Sequence, residues 1–342
     1  MSARENEPES RWDRRSFRPA ACAGPRLAVN ATSSPTTYFL IGAERSGTTL
    51  LRLMLDHHPQ ISCGGEFNFA TEFLNPDGSE PPPPEFERRL RGYRAFVDSA
   101  CSFDPSLDYA AQVQRFFDDF CGAGDARGAT VHFNISALPR YWPEARFIHL
   151  IRDPRDVAPS AMKMGWAGNV YHAARRWQEA EAEIAAFREQ VGDARILDLR
   201  FEDLVTEPET QLGRLCEFLG LAYDPLMLSY PAHTTYPAPD ASAAARWKQK
   251  LAARDVQLIE ARVRETMQAW GYAPSEHPPL AVDAALEAQL EDQDRKARRQ
   301  ARVEKYGLGL LASHWLSRRL GWRSWQERTE QRMMDINRAS LR

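Results

Sequence analysis

The amino-acid sequence predicts an α/β fold, a three-layer α/β/α sandwich built on a central parallel sheet. Three observations predict it. Apolar runs at 38–43 ("YFLIGA"), 146–151 ("RFIHLI") and 195–201 ("RILDLRF") have the length and composition of strands buried on both faces. Each run is followed by a segment of helical periodicity. That alternation requires crossover connections and therefore parallel pairing. At 342 residues the chain can bury one large core and still carry extensions.

The elements follow in order. Residues 1–36 are polar, arginine-rich and spotted with proline, which predicts a disordered lead-in. The core opens at Thr37. After the first strand, Leu50, Leu51, Leu53, Met54 and Leu55 give a helix over Thr48–Asp56 with a broad apolar face. "NPDGSEPPPPEF" (75–86) reads as a surface loop, because its prolines cannot continue a helix or a strand. Helical segments are expected near 85–100 and 107–121. The strand at 146–151 ends on Arg152-Asp153-Pro154, and Pro154 suits a first helical turn. Pro159 inside that helix predicts a kink close to Ser160. Residues 171–190 form a long helix rich in Ala, Glu and Arg. Residues 208–221 form another, with Leu212, Leu215, Cys216 and Leu219 on one face.

From about Ser275 the character changes. Residues 281–303 have a charged helical pattern. Residues 295–342 carry 13 Lys/Arg against 4 Asp/Glu, with Trp315, Trp322 and Trp325 interleaved. Residues 276–342 are therefore expected to be a basic, amphipathic helical extension of a domain at 37–275. Packing on that domain, a homo-oligomer contact and contact with an anionic membrane surface are the roles this tail leaves open.

Composition narrows the function. A net charge of −3 gives no case for nucleic-acid binding. The first residues lack the apolar run of a signal peptide, and no stretch of about 20 apolar residues occurs. Five scattered cysteines, at 22, 63, 101, 121 and 216, suit a reducing cytoplasm better than a disulfide framework. The eight histidines show no ligand spacing, so no metal is expected.

The chemistry is concentrated in "GAERSGTTLL" (42–51). Gly42 and Gly47 have the G-x4-G spacing of a phosphate loop between a strand and a helix. Backbone N–H groups around Ser46, Gly47, Thr48 and Thr49 would face an anion, helped by the helix dipole. A triphosphate loop then requires Lys before Ser/Thr. Here Thr48 stands in place of that Lys, and the only cation of the loop is Arg45. Such a loop suits a shorter 5′-linked anion better than ATP or GTP.

"ERSGTTLLRLMLDHHP" resembles the 5′-phosphosulfate loop of sulfotransferases that use 3′-phosphoadenosine 5′-phosphosulfate, and is closest to the branch containing tyrosylprotein sulfotransferases and bacterial relatives. "FIHLIRDPRDVAPSAMK" resembles the family's strand–turn–helix segment that grips the 3′-phosphate, with Arg152 and Ser160 at the matching positions. "RFEDLVTEPETQLGRLCEFLGL" and "AARWKQKL" followed by "WGYAP" agree as well, so the resemblance spans roughly 37–275. It implies a P-loop-containing sulfotransferase domain with that nucleotide as co-substrate and no metal. It also implies a hydroxyl-bearing acceptor, with Arg45, Ser46, Gly47, Thr48, Thr49, Arg152, Ser160 and Arg246 as donor-binding residues.

Sulfuryl transfer needs an acceptor hydroxyl made nucleophilic and a stabilised leaving phosphate. Arg45 is placed for the second task. For the first, Glu66 in "SCGGEFNF" (62–69) aligns with the glutamate base of the tyrosylprotein branch. That stretch is expected as a loop folding back over the donor, with Glu66 partly buried. The sequence departs from the family where a "KTP" lysine is usual. "TVHFNISALP" has none, and His132 lies near that position as a substitute contact or an alternative base. Phe201 replaces the usual tyrosine of "YEDL", and Arg246 stands where relatives have the lysine of "SKW". The more ordinary readings are packing or capping for His57 and His58 and a core position for His149. Trp166 either lines the acceptor cleft or anchors a loop. A P-loop kinase or NTPase, and a non-catalytic nucleotide-binding scaffold, remain as alternatives.

Overall fold

The computed structural model describes residues 34–99 and 101–340, so the disorder expected over 1–36 falls almost wholly outside the described residues. A five-stranded parallel sheet forms the centre, with strands β1 (Thr36–Ile41), β2 (Ile61–Glu66), β3 (Ala126–Thr130), β4 (Arg146–Ile151) and β5 (Ile196–Arg200). Their order across the sheet is β2-β3-β1-β4-β5, every pair parallel. Helices cover both faces: α1 (Thr48–Asp56), α2 (Pro83–Arg91), α3 (Arg94–Val97), α4 (Tyr109–Cys121), α5 (Leu138–Tyr141), α6 (Pro154–Lys163), α7 (Val170–Val191), α8 (Phe201–Thr206), α9 (Pro208–Leu219), α10 (Trp247–Lys250) and α11 (Ala253–Ala269). Two further helices, α12 (Ala284–Leu320) and α13 (Arg323–Ser340), make up the extension.

Alternation along the strands sorts the core. Phe39, Ile41, Ala129 and Phe147 point to one face, among Phe67, Phe69, Phe116 and Phe117. Tyr38, Leu40, Ile148, Leu150 and Leu199 point to the other, among Leu51, Met54, Leu212 and Leu215. A third apolar cluster joins α6, α7 and α11 through Val157, Ala174, Trp177, Ile259 and Met267.

Two strands were not expected, and β2 includes most of the stretch read as a loop at 62–69. Neither β2 ("ISCGGE") nor β3 ("ARGAT") has an apolar run. Their glycines allow close approach instead. A Cβ on Gly128 would lie 2.4 Å from the Tyr38 carbonyl oxygen, and one on Gly64 would lie 2.4 Å from the Phe120 ring. Helix α2 starts at Pro83, inside the stretch read as loop, because its prolines occupy the first turn, where no N–H is required. Helix α6 runs through Pro159.

The extension is tied to the core at its start. Asp294 of α12 accepts a hydrogen bond from the Gly168 backbone N–H at 2.6 Å, and Asn169 Nδ2 donates to the Leu290 carbonyl at 2.7 Å. Gly307, at φ 74, breaks α12, and α13 folds back along its second half. Among the described residues, no helix is long and apolar enough to cross a membrane.

Candidate active site

The residues singled out in the sequence gather at the carboxyl ends of the parallel strands, where open α/β sheets place their ligands. The glycine loop leaves β1, and Arg152 follows β4. Glu66 ends β2 opposite Thr130, His132 lies just past β3, and Phe201 follows β5.

The loop is held open by contacts that exclude side chains. A Cβ on Gly42 would lie 2.4 Å from the Leu150 carbonyl oxygen. Gly47 caps α1 at φ 100, and no side chain caps the helix, so its first N–H groups are directed at the loop. Ser46 is fully buried, and its hydroxyl has no hydrogen-bond partner. Thr48 is buried and Thr49 exposed. Three non-glycine residues among those described have positive φ: Arg45 (72), Asn134 (50) and Ala245 (54). Each lies in or beside the site, where backbone strain commonly concentrates.

Arg45 connects the two motifs. Its Nε donates to Ser160 Oγ at 3.0 Å, across 115 residues of sequence. Arg152 is half-buried. Its guanidinium carbon lies 4.0 Å over the Phe201 ring, one terminal nitrogen donates to the Ala243 carbonyl at 3.2 Å, and Nε is buried without a partner. Burial lowers its pKa from the ordinary guanidinium value, the nearby Asp156 and Glu202 oppose that shift, and the charge of Arg246 adds to it. Arg246 is exposed. It donates through Nε to the Ser242 carbonyl at 3.1 Å and pairs with Asp240 at 3.4 Å. Asp156 accepts from the Trp247 backbone N–H at 2.8 Å, and burial is the main reason its pKa is raised to about 6.

The acceptor side is less uniform. Half of the Glu66 side chain is exposed, and it pairs with Arg94 at 3.4 Å, so the expected partial burial is weak. Glu72, close to Glu66 and Glu44, has its carboxyl pKa raised chiefly by burial, against a 2.6 Å hydrogen bond donated by Tyr93. His132 is buried, and its Nδ1 lies 2.8 Å from the Gly42 carbonyl. A carbonyl only accepts, so in the neutral ring Nδ1 carries the proton and Nε2 presents a lone pair. The Asn68 side chain accepts from the His132 backbone N–H at 2.7 Å, locking this residue to the segment after Glu66. His132 lines a cavity of about 160 Å3 with Ala43, Glu44, Trp166, Arg176 and Glu183. Glu44 pairs with Arg176 at 2.5 Å across it.

His57, His58 and His149 make structural contacts. His57 and His58 contact the backbone carbonyls of Leu53 and Ala222. His149 is fully buried, but as part of an ion cluster, 3.3 Å from Glu181 and 2.9 Å from Asp198. Sequence reasoning had missed Glu44, Glu72, Asp156 and Arg176. Only contact across the fold gives these residues a role, and no spacing in the chain announces it.

Fold and site together define a P-loop-containing α/β protein in which Arg45 links the loop after β1 to the helix after β4. Residues 38–225 match the family model described as the sulfotransferase family. The chain belongs to the sulfotransferase family. It is 27% identical over 198 residues to protein-tyrosine sulfotransferase A of Caenorhabditis elegans, covering 56% of this chain and 52% of that protein. It is 32% identical over 128 residues to the omega-hydroxy-beta-dihydromenaquinone-9 sulfotransferase of Mycobacterium tuberculosis, covering 32% of this chain and 33% of that one. The chain thus spans about half the length, or less, of these curated relatives. The sulfotransferase domain from the curacin biosynthetic pathway shares the fold, with a TM-score of 0.50 at 20% identity over 71% of this chain and all of that domain.

Proposed function

We propose that this chain transfers the sulfuryl group of 3′-phosphoadenosine 5′-phosphosulfate to an acceptor hydroxyl, with residues 37–275 as the transferase domain and 276–342 as an appended helical element. The observation that carries the reading is the Arg45–Ser160 hydrogen bond, which makes one site of two anion-binding strand ends. A donor with phosphate at both ends of its ribose needs two such ends, whereas a simple phosphate needs one.

The residues present fit that donor. The buried Ser46 hydroxyl and the uncapped start of α1 offer donors to a 5′-phosphate, with Thr48 and Thr49 beside them. The unpartnered Arg152 Nε, with Ser160 and the exposed side chain of Arg246, offers donors to a 3′-phosphate. The co-substrate supplies an activated sulfuryl group. Transfer forms a bond from the acceptor oxygen to sulfur and breaks the bond from sulfur to the 5′-phosphate oxygen. Arg45 neutralises the charge left on that phosphate. The acceptor proton passes to Glu66, or to Nε2 of His132, whose anchored ring faces the cleft. The unpaired thiols of Cys63, Cys101, Cys121 and Cys216 support a cytoplasmic location.

Thermal unfolding with adenosine 3′,5′-bisphosphate tests the reading. At a hundred times Kd, the ligand should stabilise the fold by about 2.7 kcal/mol and raise Tm by roughly 5 °C. No shift with the bisphosphate, together with a shift from ATP–Mg2+, would instead support a P-loop kinase.

A further inference from the structure

We propose that the hairpin formed by the second half of α12 and by α13 docks the protein on an anionic membrane surface. Three polar contacts join the two helices: Tyr306 donates to Asn337 at 2.7 Å, His314 Nδ1 lies 3.0 Å from Thr329 Oγ1, and Trp325 Nε1 donates to Ser313 Oγ at 2.9 Å. Ser317 and Thr329 are buried there. Met334 is buried there too, but five large apolar side chains face outward. Eight large hydrophobic side chains are exposed among the described residues, and five of them lie in this short stretch: Leu308 (69% exposed), Trp315 (58%), Leu316 (39%), Leu320 (48%) and Trp322 (60%). Such a cluster at one end of a molecule marks a contact surface.

Charge identifies the occupant. From Lys305 to Gln326 the chain has no Asp or Glu, while Arg318, Arg319 and Arg323 stand exposed among the apolar residues. The Arg319 guanidinium carbon lies 5.3 Å from the Trp315 ring. Ser324 and Arg328 line a shallow groove with Trp322 and Trp325, which suits a phosphodiester headgroup. Tryptophans with an apolar body and a polar tip, set among arginines around the turn between α12 and α13, match a bilayer interface bearing negative lipids. A second copy of this basic surface would meet like charge.

Co-sedimentation of the full chain with lipid vesicles tests this. Vesicles of phosphatidylcholine with added phosphatidylglycerol should bind it, those of phosphatidylcholine alone should not, and added salt should release it. Replacing Arg318, Arg319 and Arg323 together by Gln should lower partitioning about a hundredfold, or roughly fivefold for each charge. The pair Trp315→Ser and Trp322→Ser should lower it about tenfold or more. Both variants should keep the wild-type unfolding midpoint. Equal binding to both vesicle types, or binding to neither, overturns the proposal, and the wild-type chain alone decides that point. A concentration-dependent dimer that the Trp variants abolish, without vesicle binding, also overturns it and makes a second copy the occupant.

Discussion

Replacing Gly47 by Ala tests whether the loop and the Arg152 site form one unit. Gly47 holds φ 100, and a methyl group there would lie 2.4 Å from Phe201 Cδ2. Holding a residue with a Cβ in a left-handed conformation costs about 1–2 kcal/mol. The ring must also retreat by roughly 1 Å to reach ordinary contact. That ring carries the Arg152 guanidinium carbon 4.0 Å above it. Disturbing a half-buried cation–π stack forfeits about 0.5–2 kcal/mol. Gly47→Ala should therefore lower unfolding free energy by about 2–4 kcal/mol. It should also weaken adenosine 3′,5′-bisphosphate binding roughly 5- to 30-fold, the fold-change of the lost stack and distorted cradle. Urea denaturation measures the first effect and calorimetric titration the second. In a Phe201→Ala background the methyl group has room, so the same substitution should cost only the backbone strain. Strictly additive penalties in that double variant, or wild-type affinity in Gly47→Ala alone, would refute the coupling.

Arg152→Lys keeps the charge but loses the planar stack and the Nε donor. It should weaken bisphosphate binding by about one to two orders of magnitude in titration, with little change in kcat at saturating donor. Glu66→Gln should cut turnover about 10²- to 10⁴-fold while leaving bisphosphate affinity intact; an unchanged rate, with the loss appearing in His132→Gln, assigns the base to His132. Coulombic attraction to Glu181 and hydrogen bonding to Asp198 raise the His149 pKa to about 9, against the effect of burial. The native state thus holds a proton that the unfolded chain releases. This contribution is complete below about pH 6.5, fades as pH rises through about 9, and amounts to roughly 3 kcal/mol, measurable as a lower urea midpoint in alkaline buffer. His149→Phe strands the buried Glu181 and should cost about 3–5 kcal/mol and remove that pH dependence.

The parts of the fold legible in the sequence were those with strong local signals. β4 has the bounds its apolar run predicts, and α1 begins and ends at Thr48 and Asp56. The strands that escaped notice, β2 and β3, are held by what surrounds them. Tyr38 and Phe120 fill the space their glycines vacate, and no periodicity encodes that. The site followed the same division. Arg45, Ser160 and Arg152 were singled out in the sequence as candidates, and the fold brings Arg45 onto Ser160. On the acceptor side the sequence offered Glu66 and His132, but not Glu44, Glu72 and Arg176, which come from separate segments and meet only through tertiary packing.

The distribution of unpaired polar atoms gives the site a further physical meaning. A buried donor or acceptor without a partner costs about 1–3 kcal/mol, and folded chains keep few of them. Of the fourteen such atoms among the described residues, five are held by Ser46, Thr130, Arg152, Arg200 and Trp247. Four of them lie at or just past the carboxyl ends of β1, β3, β4 and β5, and the fifth neighbours Asp156 beside Arg152. Others, on Gln112, Arg127, Glu181 and Tyr223 among them, lie elsewhere in the fold. The left-handed backbone at Arg45 and Ala245 adds strain at the carboxyl edge of the sheet. A ligand with anionic groups at both ends would satisfy these donors together. Its binding should therefore stabilise the strand ends cooperatively, and a ligand that reaches only the Gly47 loop should recover only part of that stabilisation.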